Sequence, residues 1–143
     1  MSISQDMTQD HRYCDDLFAR AEAAIQTGDP AAAERWQAFG EALLLHFSQE
    51  ENVLFPGFEA QRGPMGPTLV MRQEHAMMRD MLDTVSERIA SGDTDAALDA
   101  ADALMATIQQ HNMKEESILY PMLDQTVTGP VALTLSCRQA EAG

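Results

Sequence analysis

Basic residues and cysteines are scarce in this chain of 143 residues. Nine lysines and arginines stand against 23 aspartates and glutamates, so the formal net charge is −14, and the only cysteines are Cys14 and Cys137. Nucleic acids and anionic membrane surfaces require a basic face on their partners, so this charge argues against both. Two distant cysteines without a CxxC motif give no disulfide framework, and we expect a reducing cytoplasm as the compartment.

Long hydrophobic runs are lacking as well. No apolar stretch approaches the roughly 20 residues that a membrane-spanning helix needs. The N-terminal MSISQDMTQD does not have the charged and then apolar plan of a secretory signal. Apolar residues nevertheless make up 45% of the chain, which argues against disorder, and the length suits one domain with a single core.

Apolar residues recur three and four positions apart along four segments, which predicts four amphipathic helices and no strand. The stripes cover residues 7–25, 36–50, 71–89 and 97–118. We expect these helices to form an all-α bundle within residues 1–125, followed by a tail that holds a short accessory helix, residues 126–143.

Glycines and prolines predict where the helices end. Gly28-Asp29-Pro30 separates the first helix from the second, and Gly92-Asp93 separates the third from the fourth. The second helix is expected to end before Pro56, residues 56–67 are expected to form a loop, and the fourth helix is expected to end near Pro121.

The pattern H-x-x-x-E-E-x-[VI]-L-[FY]-P occurs twice. It reads HFSQEENVLFP from His46 and HNMKEESILYP from His111, 65 residues later. Asp10-His11 matches Glu74-His75 at a spacing of 64. The chain therefore reads as two helix hairpins of one design, which predicts an antiparallel, up-down four-helix bundle with an approximate twofold axis.

All four histidines occupy matched positions on the apolar stripes of the helices. A glutamate follows the histidine of each repeated motif by four residues and so shares its helix face. A buried carboxylate is costly unless it is paired or binds a metal. One histidine on an apolar stripe is more often an ordinary core residue, but four in phase with a repeat argue for a shared site. The candidate ligands are His11, His46, Glu50, His75, His111 and Glu115.

This mixture of imidazole and carboxylate suits iron, manganese or zinc better than calcium or magnesium. Six side chains are too many for one tetrahedral zinc, so they predict two metals in the bundle core. Each metal would receive two imidazoles, most simply His11 and His46 from one hairpin and His75 and His111 from the other, although the sequence does not fix this pairing. The two glutamates would bridge. An oxo or hydroxo bridge would complete five ligands, leaving octahedral iron one open position per metal.

These residues resemble the conserved positions of hemerythrin-like (HHE cation-binding) domains over about residues 7 to 123. The resemblance rests on Asp10-His11, Glu74-His75 and the two repeated motifs, which end at Pro56 and Pro121. It implies a four-helix bundle around a non-haem di-iron centre. The four histidines would be terminal iron ligands, and the glutamate four residues after the histidine of each motif would bridge.

The sequence differs from the oxygen-carrying members of that family at two positions. They have a fifth histidine where this chain has Arg79, and they bridge with a carboxylate where it has Glu116. We expect Glu115 to bridge instead, because it repeats the spacing of Glu50. The set of four histidines and two glutamates is more similar to bacterial di-iron proteins linked to nitric oxide stress and iron–sulfur cluster repair.

The expected function is the binding of O2 or NO at two bridged non-haem irons, for sensing, scavenging or storage. One alternative is a di-iron redox enzyme of the peroxidase or nitric oxide reductase type, which would need a redox partner. Another is an iron donor for iron–sulfur cluster repair. Manganese and zinc are less favoured occupants of the same ligands. The sequence leaves open whether the protein is an enzyme.

Several other polar residues near the motifs have ordinary explanations. Glu51 and Glu116 are rotated about 100 degrees from the bridging glutamates, so we expect them to be solvated. Asp15, one turn after His11, is expected on a solvated face.

Two further expectations concern the outer parts of the site. Asp10 and Glu74 are equally consistent with acceptors that orient an imidazole and with charges near a helix N-terminus. Tyr120 is expected mainly to pack, although its hydroxyl could donate to a bound small molecule.

Overall fold

A computed structural model describes residues 2–127 of the chain. Within them the regular structure is helical throughout, which confirms the predicted all-α fold. The accessory helix was predicted for residues 126–143, of which only the first two lie within this described range. The elements are α1 (Ile3–Thr27), α2 (Ala32–Gln49), a first π-helical turn (Glu50–Leu54), α3 (Phe55–Arg62), α4 (Pro67–Ala90), α5 (Thr94–Lys114), a second π-helical turn (Glu115–Leu119) and α6 (Tyr120–Thr126).

These elements make four long rods. α2, the first π-helical turn and α3 form one continuous rod, and α5, the second π-helical turn and α6 form another. α1 packs against α2 and α5, while α4 packs against α5 and α2, so the four rods close an antiparallel bundle. None of the described helices is both long enough and apolar enough to cross a membrane.

The two tight turns between helices are built alike. Gly28, after α1, has a φ of 67°, and Gly92, after α4, has a φ of 77°, a left-handed conformation that costs glycine little. The following aspartate then accepts from a backbone amide: Asp29 from Ala31 at 2.8 Å, and Asp93 from the third residue of α5 at 3.1 Å. The repeated Gly-Asp signal therefore marks both hairpin turns.

The helices do not stop at the prolines where the sequence predicted their ends. α3 contains Pro56 and extends to Arg62, and α6 contains Pro121 and extends to Thr126. The prediction of a loop over residues 56–67 was therefore wrong for most of that range. Proline interrupts an α-helix because it lacks an N–H and clashes with the carbonyl four residues earlier. The extra residue of each π-helical turn changes that register, so each proline lies in the first turn of a new α-helical segment, where no N–H is needed.

The buried apolar residues form two clusters separated by a layer of histidines. Along α1, His11 lies between Met7 of the smaller cluster and Cys14 of the larger one. Along α4, His75 lies likewise between Met71 and Met78. The larger cluster contains the packed rings of Phe18, Trp36 and Phe39. Apolar packing on both sides thus encloses the histidine layer in the bundle core.

Candidate metal centre

All six side chains that the sequence predicted as ligands meet in the middle of the bundle, and all six are buried. They form two groups of four, in each of which one potential ligand atom per residue lies within 4.8 Å of the others. The two glutamates belong to both groups, while each pair of histidines comes from a single hairpin. The first group is His11, His46, Glu50 and Glu115; the second is His75, His111, Glu50 and Glu115.

The shared glutamates each offer one oxygen to each group. Glu50 Oε1 lies 3.0 Å from His75 Nε2, and Glu50 Oε2 lies 3.6 Å from His46 Nε2. Glu115 Oε1 lies 3.0 Å from His11 Nε2, and Glu115 Oε2 lies 3.3 Å from His111 Nε2. Both carboxylates therefore lie between the two pairs of histidines.

Each shared glutamate is the first residue of a π-helical turn. The carbonyl of Glu50 accepts from the amide of Phe55, and that of Glu115 accepts from the amide of Tyr120, five residues later in both cases. Helical rotation separates consecutive side chains by about 100 degrees, so Glu115 faces the centre while Glu116 points elsewhere. π-helical turns are rare and are often found at functional sites.

Outside the two groups, each imidazole has a carboxylate next to its Nδ1. An Nδ1–H that donates outward leaves the lone pair of Nε2 facing inward, as a metal ligand requires. The pairs are His11–Glu116, His75–Glu51 and His111–Glu74, each at 2.7 Å, and His46–Asp10 at 3.8 Å.

Glu116 is exposed, as predicted, although it also contacts His11, whereas Glu51 is largely buried, so the prediction that both are solvated was wrong for Glu51. Their rotation from the bridging positions is real, but it aims each of them at a histidine on a neighbouring helix, which spacing within one helix does not reveal. Of the two explanations for Glu74, the contact with His111 supports the orienting one. Asp15 belongs to neither group and is exposed, as expected.

Asp10 and Glu74 occupy matched positions but hold their histidines differently. Asp10 is fully buried, and neither of its oxygens has a hydrogen-bond partner among the described residues. Its side chain is one methylene shorter than that of Glu74, which explains why it stops 3.8 Å from His46 whereas Glu74 reaches His111. The twofold relation between the hairpins is thus imperfect at this point.

In the second group, all four inward-facing atoms lack a hydrogen-bond partner within residues 2–127. They are Glu50 Oε1, His75 Nε2, His111 Nε2 and Glu115 Oε2. Buried polar atoms are rarely left unpaired, because their desolvation is then uncompensated. Four acceptor atoms facing one another fit a cation, and nitrogen and carboxylate oxygen are suitable ligands for a transition metal.

In the first group, the corresponding atoms surround the hydroxyl of Tyr120. This hydroxyl lies 2.6 Å from Glu50 Oε2, 2.9 Å from Glu115 Oε1, 2.9 Å from His11 Nε2 and 3.3 Å from His46 Nε2. The expectation that Tyr120 mainly packs was wrong: its ring is buried, but its hydroxyl belongs to the site. A hydroxyl has one proton to donate, so it cannot satisfy four acceptors.

The electrostatics of the site favour positive charge. Burial lowers the pKa of His46, but Glu50 and Asp10 more than offset this and raise that pKa well above its usual value. Burial raises the pKa of Glu50, but neighbouring imidazoles, His46 first, outweigh it and bring that pKa well below its usual value. The carboxylate charge is thus retained in the core and attracts cations.

Comparison with known proteins agrees with this geometry. The chain matches the family model of the hemerythrin HHE cation-binding domain over residues 2–123. No curated protein and no solved structure matches it significantly. The matched region contains both groups of buried histidines and glutamates, which assigns the site to non-haem metal binding. The chain therefore belongs to the hemerythrin HHE cation-binding domain family.

Proposed function

We propose that the protein holds two iron ions in the bundle core and binds a small molecule such as O2 or NO there. The observation that carries the proposal is the second group, whose four inward-facing atoms are buried and have no hydrogen-bond partner within the described residues. The proposed ligands are His11, His46, Glu50, His75, His111 and Glu115.

The two glutamates are proposed as bridges between the metals. Each offers one oxygen to either group, so the pair can hold two cations side by side. Bundle-core sites with carboxylate bridges commonly hold two irons or two manganese ions. The outer carboxylates support the same role, since they fix the tautomer and the orientation of the imidazoles.

We propose iron rather than zinc because the small molecule needs an open position on the metal. Two imidazoles and two carboxylate oxygens per metal would fill a tetrahedral zinc site but leave an octahedral ion with free positions. Iron held there would supply redox chemistry and open positions for a small ligand. The protein limits access by water: the ring of Phe47 stacks on His75 at 4.0 Å, and Phe55 lies 5.8 Å from the same imidazole.

The metal content of protein purified in air tests this proposal, together with its optical spectrum before and after reduction and addition of NO. We expect two irons per chain, near-ultraviolet bands of an oxo bridge that disappear on reduction, and a spectral change with NO. One zinc per chain, or no metal, would contradict the proposal.

Two histidine variants locate the metals. His46→Ala and His111→Ala should each lower metal content and thermal stability, because metal binding and folding are thermodynamically linked. Glu41→Ala and Gln110→Ala are the matched controls, since both side chains are exposed on the same helices. Two metals per chain in both histidine variants would show that the ligand assignment is wrong.

A further inference from the structure

The two halves of the site differ at one matched pair of aromatic residues. Tyr120 and Phe55 both follow a π-helical turn and precede a proline, 65 residues apart. The ring of Tyr120 lies 5.5 Å from the imidazole of His11, and the ring of Phe55 lies 5.8 Å from that of His75. The two aromatic rings therefore have equivalent places, but only one of them carries a hydroxyl.

We propose that this hydroxyl makes the two metal positions unequal. The Tyr120 oxygen is an additional donor to a metal held by His11 and His46, and the small molecule therefore binds at the position between His75 and His111. This inference rests on the proposed function, because it concerns how two metals share the six ligands.

The contacts of the hydroxyl are confined to one side of the site. It approaches Glu50 Oε2 and Glu115 Oε1, the two carboxylate oxygens that belong to the His11–His46 group. The other oxygens, Glu50 Oε1 and Glu115 Oε2, face the His75–His111 group and have no hydrogen-bond partner among the described residues. A metal among the first four ligand atoms would thus have a fifth donor beside it.

The number of acceptors around the hydroxyl supports its role as a donor atom to a metal. Two carboxylate oxygens and two imidazole nitrogens lie within 3.3 Å of it, and one proton can serve only one of them. A tyrosine that served only for packing would not require its oxygen at this point, since Phe55 fills the matched place without one.

Among residues 2–127, no comparable donor lies beside the other position. His75 is stacked between the rings of Phe47 and Phe55. Arg79, one turn after His75 on the same helix, gives both of its described hydrogen bonds to Glu51. A metal held by His75 and His111 would therefore have fewer protein ligands than its neighbour, which leaves room for a small molecule.

Iron-loaded protein gives a direct test. A tyrosine oxygen bound to ferric iron produces a visible charge-transfer band and resonance-enhanced tyrosine ring vibrations, which imidazole and carboxylate ligands do not produce. We expect both signals in the wild type and their loss in Tyr120→Phe, with two irons per chain in each protein. Addition of azide should leave the tyrosine signals in place, because azide would bind at the other metal.

The double variant Phe55→Tyr, Tyr120→Phe is the matched control, because it moves the hydroxyl to the other half of the site. The tyrosine signals should return in this variant. The double variant also distinguishes a metal ligand from a residue with a structural role, since a hydroxyl needed only for folding would not restore the charge-transfer band.

Two irons in the wild type without any tyrosine signal would overturn the inference while leaving the proposed function intact. A tyrosine signal that azide abolishes would overturn the assignment of the small-molecule position. Absence of metal from the wild type would instead contradict the proposed function itself.

Discussion

The carboxylate of Glu51 lies 2.7 Å from Nδ1 of His75, on the side of the ring that faces away from the candidate metals. Arg79 also donates to both oxygens of Glu51, at 3.0 and 2.9 Å. Burial raises the pKa of Glu51, but Arg79 and His75 outweigh it, so that pKa lies below its usual value. Glu51 is therefore a charged acceptor that keeps the Nε2 lone pair of His75 directed at the site.

Glu51→Gln should weaken metal binding about 10- to 100-fold, the usual cost of losing such an outer partner. The amide keeps the size of the side chain but removes the charge that orients the imidazole. Titration of metal-free protein with zinc in the presence of a competing chelator measures the change.

Glu59→Gln is the matched control for Glu51→Gln. Glu59 also pairs with an arginine, Arg72, at 3.0 Å, but it has no described hydrogen bond to a histidine. If both variants lose affinity equally, the effect comes from general electrostatics and the orienting role of Glu51 is wrong.

Glu74→Asp should reproduce in the second hairpin the gap that Asp10 leaves in the first. Shortening the side chain by one methylene moves the carboxylate away from His111 Nδ1, which it now reaches at 2.7 Å. We expect about a tenfold loss of zinc affinity, with thermal stability of the metal-free protein nearly unchanged because Glu74 is partly exposed.

Lys114→Gln is the control for that variant. Lys114 pairs with the same carboxylate but is half exposed, and such surface pairs contribute about 0–1 kcal/mol. An affinity loss in Lys114→Gln as large as that in Glu74→Asp would show that the ion pair, rather than the contact with His111, is responsible.

The fold and the clustering of the six candidate ligands were largely predictable, because both depend on residue spacing. The helical period places His46 with Glu50, and His111 with Glu115, on inward faces. The repeat then implies a second hairpin of the same design. Burial of all six candidate ligands together is what these patterns predicted. The family match over residues 2–123 agrees with the resemblance read from the same motifs.

The carboxylates beside the Nδ1 atoms of the histidines were not predictable as partners, because these pairs depend on contacts between helices. Glu116 meets His11 across 105 positions of the chain, and no periodicity links the two. The extension of the helices beyond Pro56 and Pro121 was missed because a proline signal assumes an α-helical register, which a π-helical turn changes. One signal could have indicated this turn. In both motifs a Glu-Glu pair stands five residues before an aromatic residue and a proline.

Acidification should release bound metal ions at a higher pH than it would if the histidines had the usual imidazole pKa. In the metal-free protein, burial lowers the pKa values of His11, His46 and His111, but the neighbouring carboxylates more than offset it, so all three are raised. Protons therefore compete with metal ions as soon as the pH falls through these raised values, above the usual imidazole pKa of about 6.5.

The same pKa shifts predict that the unfolding temperature changes with pH in opposite directions for the metal-free and the metal-loaded protein. A raised histidine pKa stabilises the metal-free fold fully below the pKa of the unfolded chain, about 6.5, and this contribution is lost as the pH rises through the folded value. Thermal unfolding with a chelator should thus shift to lower temperature as the pH increases, while unfolding with excess zinc should shift to higher temperature. Parallel trends in the two series would contradict the competition between protons and metal.

Glu50→Gln should impair both metal positions, whereas His75→Ala should impair one. Glu50 contributes Oε1 to the His75–His111 group and Oε2 to the His11–His46 group, so two bound cations would share its charge. Glutamine has nearly the same helix propensity as glutamate, which leaves the π-helical turn and the rods little affected. We expect less than one metal per chain in Glu50→Gln and about one in His75→Ala, with Glu41→Gln, an exposed glutamate on α2, retaining two. If Glu50→Gln loses a single metal while keeping the other at full occupancy, Glu50 serves one position only, and Glu115 would have to hold the two metals together by itself.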